Sequence, residues 1–138
     1  MGAPGTVASD LPRSRVVAPG SIWQSAGVAW LVSEARVLAS AEVGNTRAER
    51  RRGLRGRTEI DGAFVIPRCR WVHTFGMRMP IDVAFVDADG VVIKMVRMRR
   101  WRLGAPVKGG DWLIEAGVGA FERWGLSVGD VVELRSPT

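Results

Sequence analysis

Residues 80–98 read PIDVAFVDADGVVIKMVRM, and how this stretch divides decides the fold. Two runs rich in Val, Ile and Phe flank the polar segment Asp87-Ala88-Asp89-Gly90. β-Branched and aromatic side chains suit a pleated, half-buried surface, and Asp-Gly supplies the positive φ that a tight reversal needs. The stretch therefore predicts an antiparallel hairpin turning at Asp89-Gly90.

The same pattern recurs on both sides of it. GVAWLV and RVLASAEV, residues 27–32 and 36–43, read as two strands around a turn at Ser33 to Arg36. GAFVIP (62–67), CRWVHTF (69–75), DWLIEAG (111–117) and DVVELR (130–135) add further short strands. Two pieces break the rhythm. In NTRAERRRGLRGR, Asn45 or Thr46 can cap a helix, Ala48 to Arg52 propagate it and Gly53 ends it. GAFERWG, residues 119–125, reads as a helical turn. Many short strands with one or two short helices predict a mainly β fold: a jelly-roll-like β-sandwich or a partly closed barrel. Pro4, Pro12 and Pro19 with scattered Gly and Ser make residues 1–21 a flexible tail, and residues 22–138 form a single domain.

The chain has 138 residues, enough for one domain that buries roughly two thirds of its unfolded surface without a metal or disulfide. With 46% hydrophobic and 25% charged residues and no long apolar run, it is expected to be soluble. A lone cysteine, Cys69, and a Gly/Pro/Ser-rich start without an apolar core point to the cytoplasm. The first six residues fit a loose myristoylation pattern, but without an adjacent basic cluster a plain tail is the better reading. The net charge is +6, carried almost wholly by arginine, since Lys94 and Lys108 are the only lysines. Arginine's planar fork pairs with phosphate and carboxylate, so an anionic partner is permitted.

The order TRAERRRGLRGR, GAFVIP, MPIDVAFVDADGVV and EAGVGAFERWGLSVGDVVEL resembles the DUF192 family, a group of small proteins of unknown function, from about Val37 to Leu134. The resemblance implies an all-β, jelly-roll-like fold with a short helix, and no particular reaction. Carried over by position, Arg50, Arg57, Pro80 and Asp82 stand where the family pattern has Arg, Arg, Pro and Asp. One departure is visible: His73, Thr74, Phe75, Gly76 and Met77 occupy the places of the usual Trp-Met-Lys-Asn-Thr.

CRWVHTFGM, residues 69–77, places the single cysteine, the single histidine and Met77 four positions apart. In a strand, a rise of about 3.3 Å per residue sets Cys69 roughly 13 Å from His73, too far to share a proton. Alternation is expected to group Cys69, Trp71, His73 and Phe75 on a core face, with Arg68, Arg70, Val72 and Thr74 on a wet back. Cys69 then reads as a small buried hydrophobe and Met77 as packing; His73 is either a hydrogen-bonded histidine at the core edge or a wall of a binding pocket. No metal or cofactor is expected, because cupin-type, two-histidine zinc and facial-triad iron sites all need another imidazole. A Ser-His-Asp triad would have to use His73 with Asp82 or Asp87, and no serine sits in a nucleophile elbow.

Asp82 interrupts an apolar strand, so its carboxylate has to be paired or hydrogen-bonded. An ion pair to Arg50 or Arg57, pinning the helix to the sheet, is the expected arrangement; a small polar site of Arg57, His73 and Asp82 is the alternative. Asp87 and Asp89 read as turn residues, and Asp111, Glu115 and Asp130 as loop or strand-end charges. Arginines gather in two groups: Arg47 to Arg57, and Arg97, Arg99, Arg100 and Arg102 around Trp101. On a helix Arg47, Arg51 and Arg55 form a stripe. Tryptophan among arginines is the mix used by single-stranded nucleic-acid surfaces, although a charge run is more often a solvated face.

The reading that follows is a non-catalytic binding or accessory module for a small anion or a protein partner. Arg50 and Arg57 would contact the anion, His73 would form a polar wall and Asp82 would orient. Two alternatives stay open. One is an RNA- or DNA-binding module using Arg97, Arg99, Arg100, Trp101 and Arg102; the other is a hydrolytic enzyme with His73 as general base and Asp82 as its partner.

Overall fold

The computed structural model describes residues 27–44 and 62–136. The expected tail and the helix expected after Asn45, with Arg50 and Arg57, lie outside the described residues. Seven strands are present: β1 (Gly27–Ser33), β2 (Arg36–Val43), β3 (Ala63–Ile66), β4 (Ile81–Val86), β5 (Val92–Met98), β6 (Trp112–Gly117) and β7 (Glu133–Arg135). A single short helix, α1 (Ala120–Trp124), accompanies them among the described residues. The fold is mainly β, as the turn-punctuated sequence predicts.

All seven strands belong to one sheet in the order β5-β4-β6-β3-β2-β1-β7. Neighbours are antiparallel except β2 and β3, which run parallel. The sheet curls until its edges meet at one corner. There the Val92 N–H donates to Asp130 O (2.9 Å), the Gly129 N–H to Val92 O (2.8 Å) and the Val132 N–H to Gly90 O (2.8 Å). Of the two forms expected, this is the partly closed barrel.

The β4–β5 hairpin is where the sequence placed it. Asp87 Oδ1 accepts the N–H groups of Asp89 and Val91, both at 2.9 Å, and Gly90 takes φ +87°. Gly90 also serves the closure: a Cβ at this position would lie 2.7 Å from Val132 O. Asp-Gly is therefore required both by the turn and by the approach of the far edge.

The central strands separate two cores. Ala84, Val86, Trp112, Ile114 and Ala116 face the inside of the curl with Leu31, Val65 and Phe121. Ile81, Val83, Phe85 and Leu113 face outward with Phe64 and Met98. Covered on both faces, β4 and β6 read as near-continuous apolar runs, each interrupted by one carboxylate, instead of alternating ones. Full burial of a side chain such as Leu113 or Ile114 contributes about 2–3 kcal/mol.

Two loops, 67–80 and 99–111, cover the outer core. They run antiparallel to each other: Cys69 N–H to Asp111 O, Val107 N–H to Arg70 O, Gly104 N–H to Val72 O and Thr74 N–H to Arg102 O, all between 2.8 and 3.0 Å. This corrects the expected strand at 69–75. The segment is extended but forms only one isolated bridge, His73 to Leu103. Cys69 packs against the outer core and Arg68 and Arg70 are exposed, as expected, but from residue 71 on the faces are reversed, since Val72 and Thr74 are buried at 2% and 0% exposure whereas Phe75 is 46% exposed. Apolar residues occur at both phases of this segment, so its pattern could not show which side would meet Met77, Met79 and Ile81. Val72 packs there, which turns Trp71, His73 and Phe75 outward.

Candidate functional site

Asp82 sits on the inner face of β4, directly opposite Arg97 of β5. Arg97 grips it with two prongs, Nε to Oδ1 at 2.8 Å and Nη2 to Oδ2 at 3.3 Å. The Gly119 N–H donates to Oδ2 at 2.9 Å, which ties the turn entering α1 to the sheet. The Arg97–Asp82 hydrogen bond and the charge of Asp82 hold the Arg97 guanidinium above its ordinary range. Asp82 thus joins β4, β5 and α1. Among the described residues its salt bridge goes to Arg97, which antiparallel register places about 5 Å away; Arg50 and Arg57, the partners expected from the sequence, lie outside the described residues. Beside the pair, Met95, Val96, Phe121 and Glu122 line an open groove.

His73 belongs to the layer over the opposite, outer face, so the structure does not bring His73 and Asp82 together. Its ring instead stands in a row. Residues 71, 73 and 75 point the same way, at steps of roughly 6.6 Å in an extended chain. Trp71 and His73 have centroids 5.9 Å apart, His73 and Phe75 stack at 5.1 Å and 26°, and Trp101 from the second loop adds a fourth ring 6.3 Å from Phe75. The Phe75 N–H donates to His73 Nδ1 at 3.2 Å, which assigns the proton of the neutral ring to Nε2. Phe75 and Trp101 keep 46% and 58% of their surface exposed.

Charge is sorted in the same layer. Residues 67–80 and 99–111 carry Arg68, Arg70, Arg78, Arg99, Arg100, Arg102 and Lys108, against a single acid, Asp111 at the end of the second loop. Each of these seven cations is exposed. Of the arginines read as nucleic-acid contacts, Arg99, Arg100 and Arg102 flank Trp101 on this layer. Arg97 does not join them, because it faces inward to Asp82.

Two residues with structural or functional weight were passed over in the sequence. Glu115 is not a strand-end charge: it is fully buried in the middle of β6, between Phe64 and Val83. The available signal was a lone carboxylate inside the apolar run 112–116 of a two-faced strand, where it must be compensated. The other is Thr74, whose buried hydroxyl donates to Arg99 O at 2.6 Å. Cys69 Sγ donates to Trp71 O at 3.1 Å. Among the described residues, no three His, Cys, Asp or Glu side chains converge where they could hold a metal ion, and no helix is long and apolar enough to cross a membrane.

The sequence model of the DUF192 family, described as "Uncharacterized ACR", matches residues 30–134. The chain belongs to the DUF192 family. Similar curated proteins are UPF0127 proteins of archaea. One from Pyrococcus abyssi is 37% identical over 62 residues, 45% of this chain and 53% of that one. One from Thermococcus gammatolerans is 30% identical over 97 residues, 66% of this chain and 63% of that one. Across these relatives the matches cover between 39% and 63% of the relative's own length. The DUF192 fold also recurs in solved structures. A protein of unknown function from Novosphingobium aromaticivorans has a TM-score of 0.60 at 21% identity, covering 78% of this chain and 84% of its own. A candidate transcription regulator from Sinorhizobium meliloti has a TM-score of 0.58 at 17% identity, covering 80% and 94%. At these identities the likeness is one of fold. The family is one of uncharacterised proteins.

Proposed function

We propose that this chain is a non-catalytic binding module whose ligand is single-stranded nucleic acid, held on the outer loop layer. One observation carries the reading: a row of four rings, two of them exposed, lies in a layer whose two loops carry seven exposed cations and one carboxylate, the half-buried Asp111 at its end. Unpaired bases stack on exposed ring faces, and guanidinium groups meet the phosphates between them. Neighbouring rings stand 5.1–6.3 Å apart, too close to admit a base between them. Bases would therefore lie on Phe75 and Trp101 as on a platform, an arrangement that tolerates any sequence.

The small-anion reading loses its orienting acceptor, because Asp82 is engaged by Arg97 and Gly119. The hydrolytic reading loses its proposed partner for the imidazole, because Asp82 faces the other side of the sheet.

Fluorescence anisotropy with a labelled 12-nucleotide RNA tests the proposal. A single strand is expected to bind more tightly than the matching duplex, with log K falling against log salt at a slope of about −3 for four neutralised phosphates. Phe75→Ala with Trp101→Ala is expected to weaken binding at least tenfold while leaving the fold intact. Absence of binding, or equal binding of the duplex, would overturn it.

A further inference from the structure

Trp101 is held in place from outside its own turn. Its backbone takes φ +60°, in the left-handed region that side chains other than glycine rarely adopt. The turn 99–102 has no strand or helix of its own to enforce this, and among the described residues the hydrogen bonds that tie it to the rest of the molecule converge on Thr74. The Thr74 N–H donates to Arg102 O at 2.8 Å, and Thr74 O accepts the Trp101 N–H at 3.1 Å. The side chain adds two more: its hydroxyl donates to Arg99 O at 2.6 Å and accepts the Arg102 N–H at 2.9 Å.

Thr74 is 0% exposed, so its end of each of these bonds is shielded from water. A buried hydroxyl that donates and accepts at once can be supplied here by Thr or Ser but not by an isosteric Val. Its neighbours in sequence, His73 and Phe75, are rungs of the ring row, and the turn it grips carries Trp101, Arg100 and Arg102. One buried residue thereby sets both loops in a common frame.

We infer that Thr74 is the positioning residue of the ligand platform, fixing Trp101 and the flanking guanidiniums against Phe75. The inference rests on the proposed platform for its binding readout, but not for its structural one. Strain at Trp101 fits this role, since unfavoured backbone persists where surrounding contacts over-determine it.

The test compares Thr74→Val, Thr74→Ser and Phe75→Ala, with two readouts. The first is anisotropy with the labelled 12-nucleotide RNA. The second, which needs no ligand, is the fluorine NMR signal of 5-fluorotryptophan at position 101, assigned from Trp101→Phe. Thr74→Val is expected to shift or broaden the Trp101 signal alone and to weaken RNA binding about tenfold, the loss of one base stack. Thr74→Ser should restore both to within about twofold of the parent. An unmoved Trp101 signal in folded Thr74→Val would overturn the inference, whatever the RNA does. If Phe75→Ala abolishes binding while Thr74→Val leaves it intact, the platform stands and the role of Thr74 falls. If the parent chain binds no RNA, the platform falls and the Trp101 signal still decides the role of Thr74. Should Thr74→Val not fold, amide exchange in the parent decides instead: slow exchange at Trp101 and Arg102 supports the latch, and fast exchange at both removes it.

Discussion

Leu113 and Ile114 are adjacent on β6 and both fully buried, yet they support opposite faces of one sheet. The inner face that receives Ile114 is closed by the sheet's own curl, with backbone hydrogen bonds joining its edges at one corner and Phe121 of α1 packed against it. The outer face that receives Leu113 is closed by two loops holding each other. The inner region keeps its charge at the rim, in the Asp82–Arg97 pair, and gives the molecule its rigidity. The outer region carries exposed rings and seven exposed cations on loops above that scaffold, where binding residues tend to be found. On the proposed reading, recognition uses this outer side and the inner side serves as its support.

The comparison breaks first at the two core residues. Ile114→Ala is expected to cost about 4 kcal/mol and Leu113→Ala about 3 kcal/mol in urea unfolding, because paired strands cannot collapse into a cavity as loops can. The reverse order would mean that the loop layer is the stiffer cover. A finer test uses the two glycines that let each cover approach. At Gly90 a Cβ would meet Val132 O at 2.7 Å from a φ of +87°, whereas at Gly104 it would meet Val72 O at 2.9 Å with no such φ. Gly90→Ala should cost about 3 kcal/mol and Gly104→Ala about 1.5 kcal/mol by the same measurement, since only the first adds backbone strain to a clash. Equal costs would argue that the β4–β5 turn can relax. The smallest effect has the opposite sign: Trp101→Gly relieves the left-handed φ and should raise stability by up to about 1 kcal/mol while lowering RNA affinity about tenfold. A loss of stability there would show that the exposed ring packs more than its 58% exposure suggests.

Much of the fold was legible because it depends on short-range chemistry. Asp87 through Gly90 carry their own turn geometry, and Gly119 and Gly125 bracket the five residues of α1, both in left-handed conformation. The candidate site was legible only in part. Trp101 among Arg99, Arg100 and Arg102 is a pattern within one loop and could be read directly. The pairing of Asp82 with Arg97 could also have been found, since a hairpin centred on Asp89-Gly90 places residues 82 and 97 opposite each other. The ring row could not be read, because Trp101 and Phe75 are 26 positions apart and meet only when both loops lie on the outer core.

By itself, the sequence determined the seven strands, though it also suggested an eighth at 69–75, together with the hairpin, the short helix at 120–124, the excess of arginine and the lack of a second histidine, because propensity, turn chemistry and composition belong to a few consecutive residues. Only the tertiary structure decided which phase of residues 69–75 is buried, what Asp82 binds, that Glu115 lies in a core and that four rings share a row. An extended segment alternates its side chains whatever lies beneath it, so its two faces become inside and outside only when a distant part of the chain covers one of them.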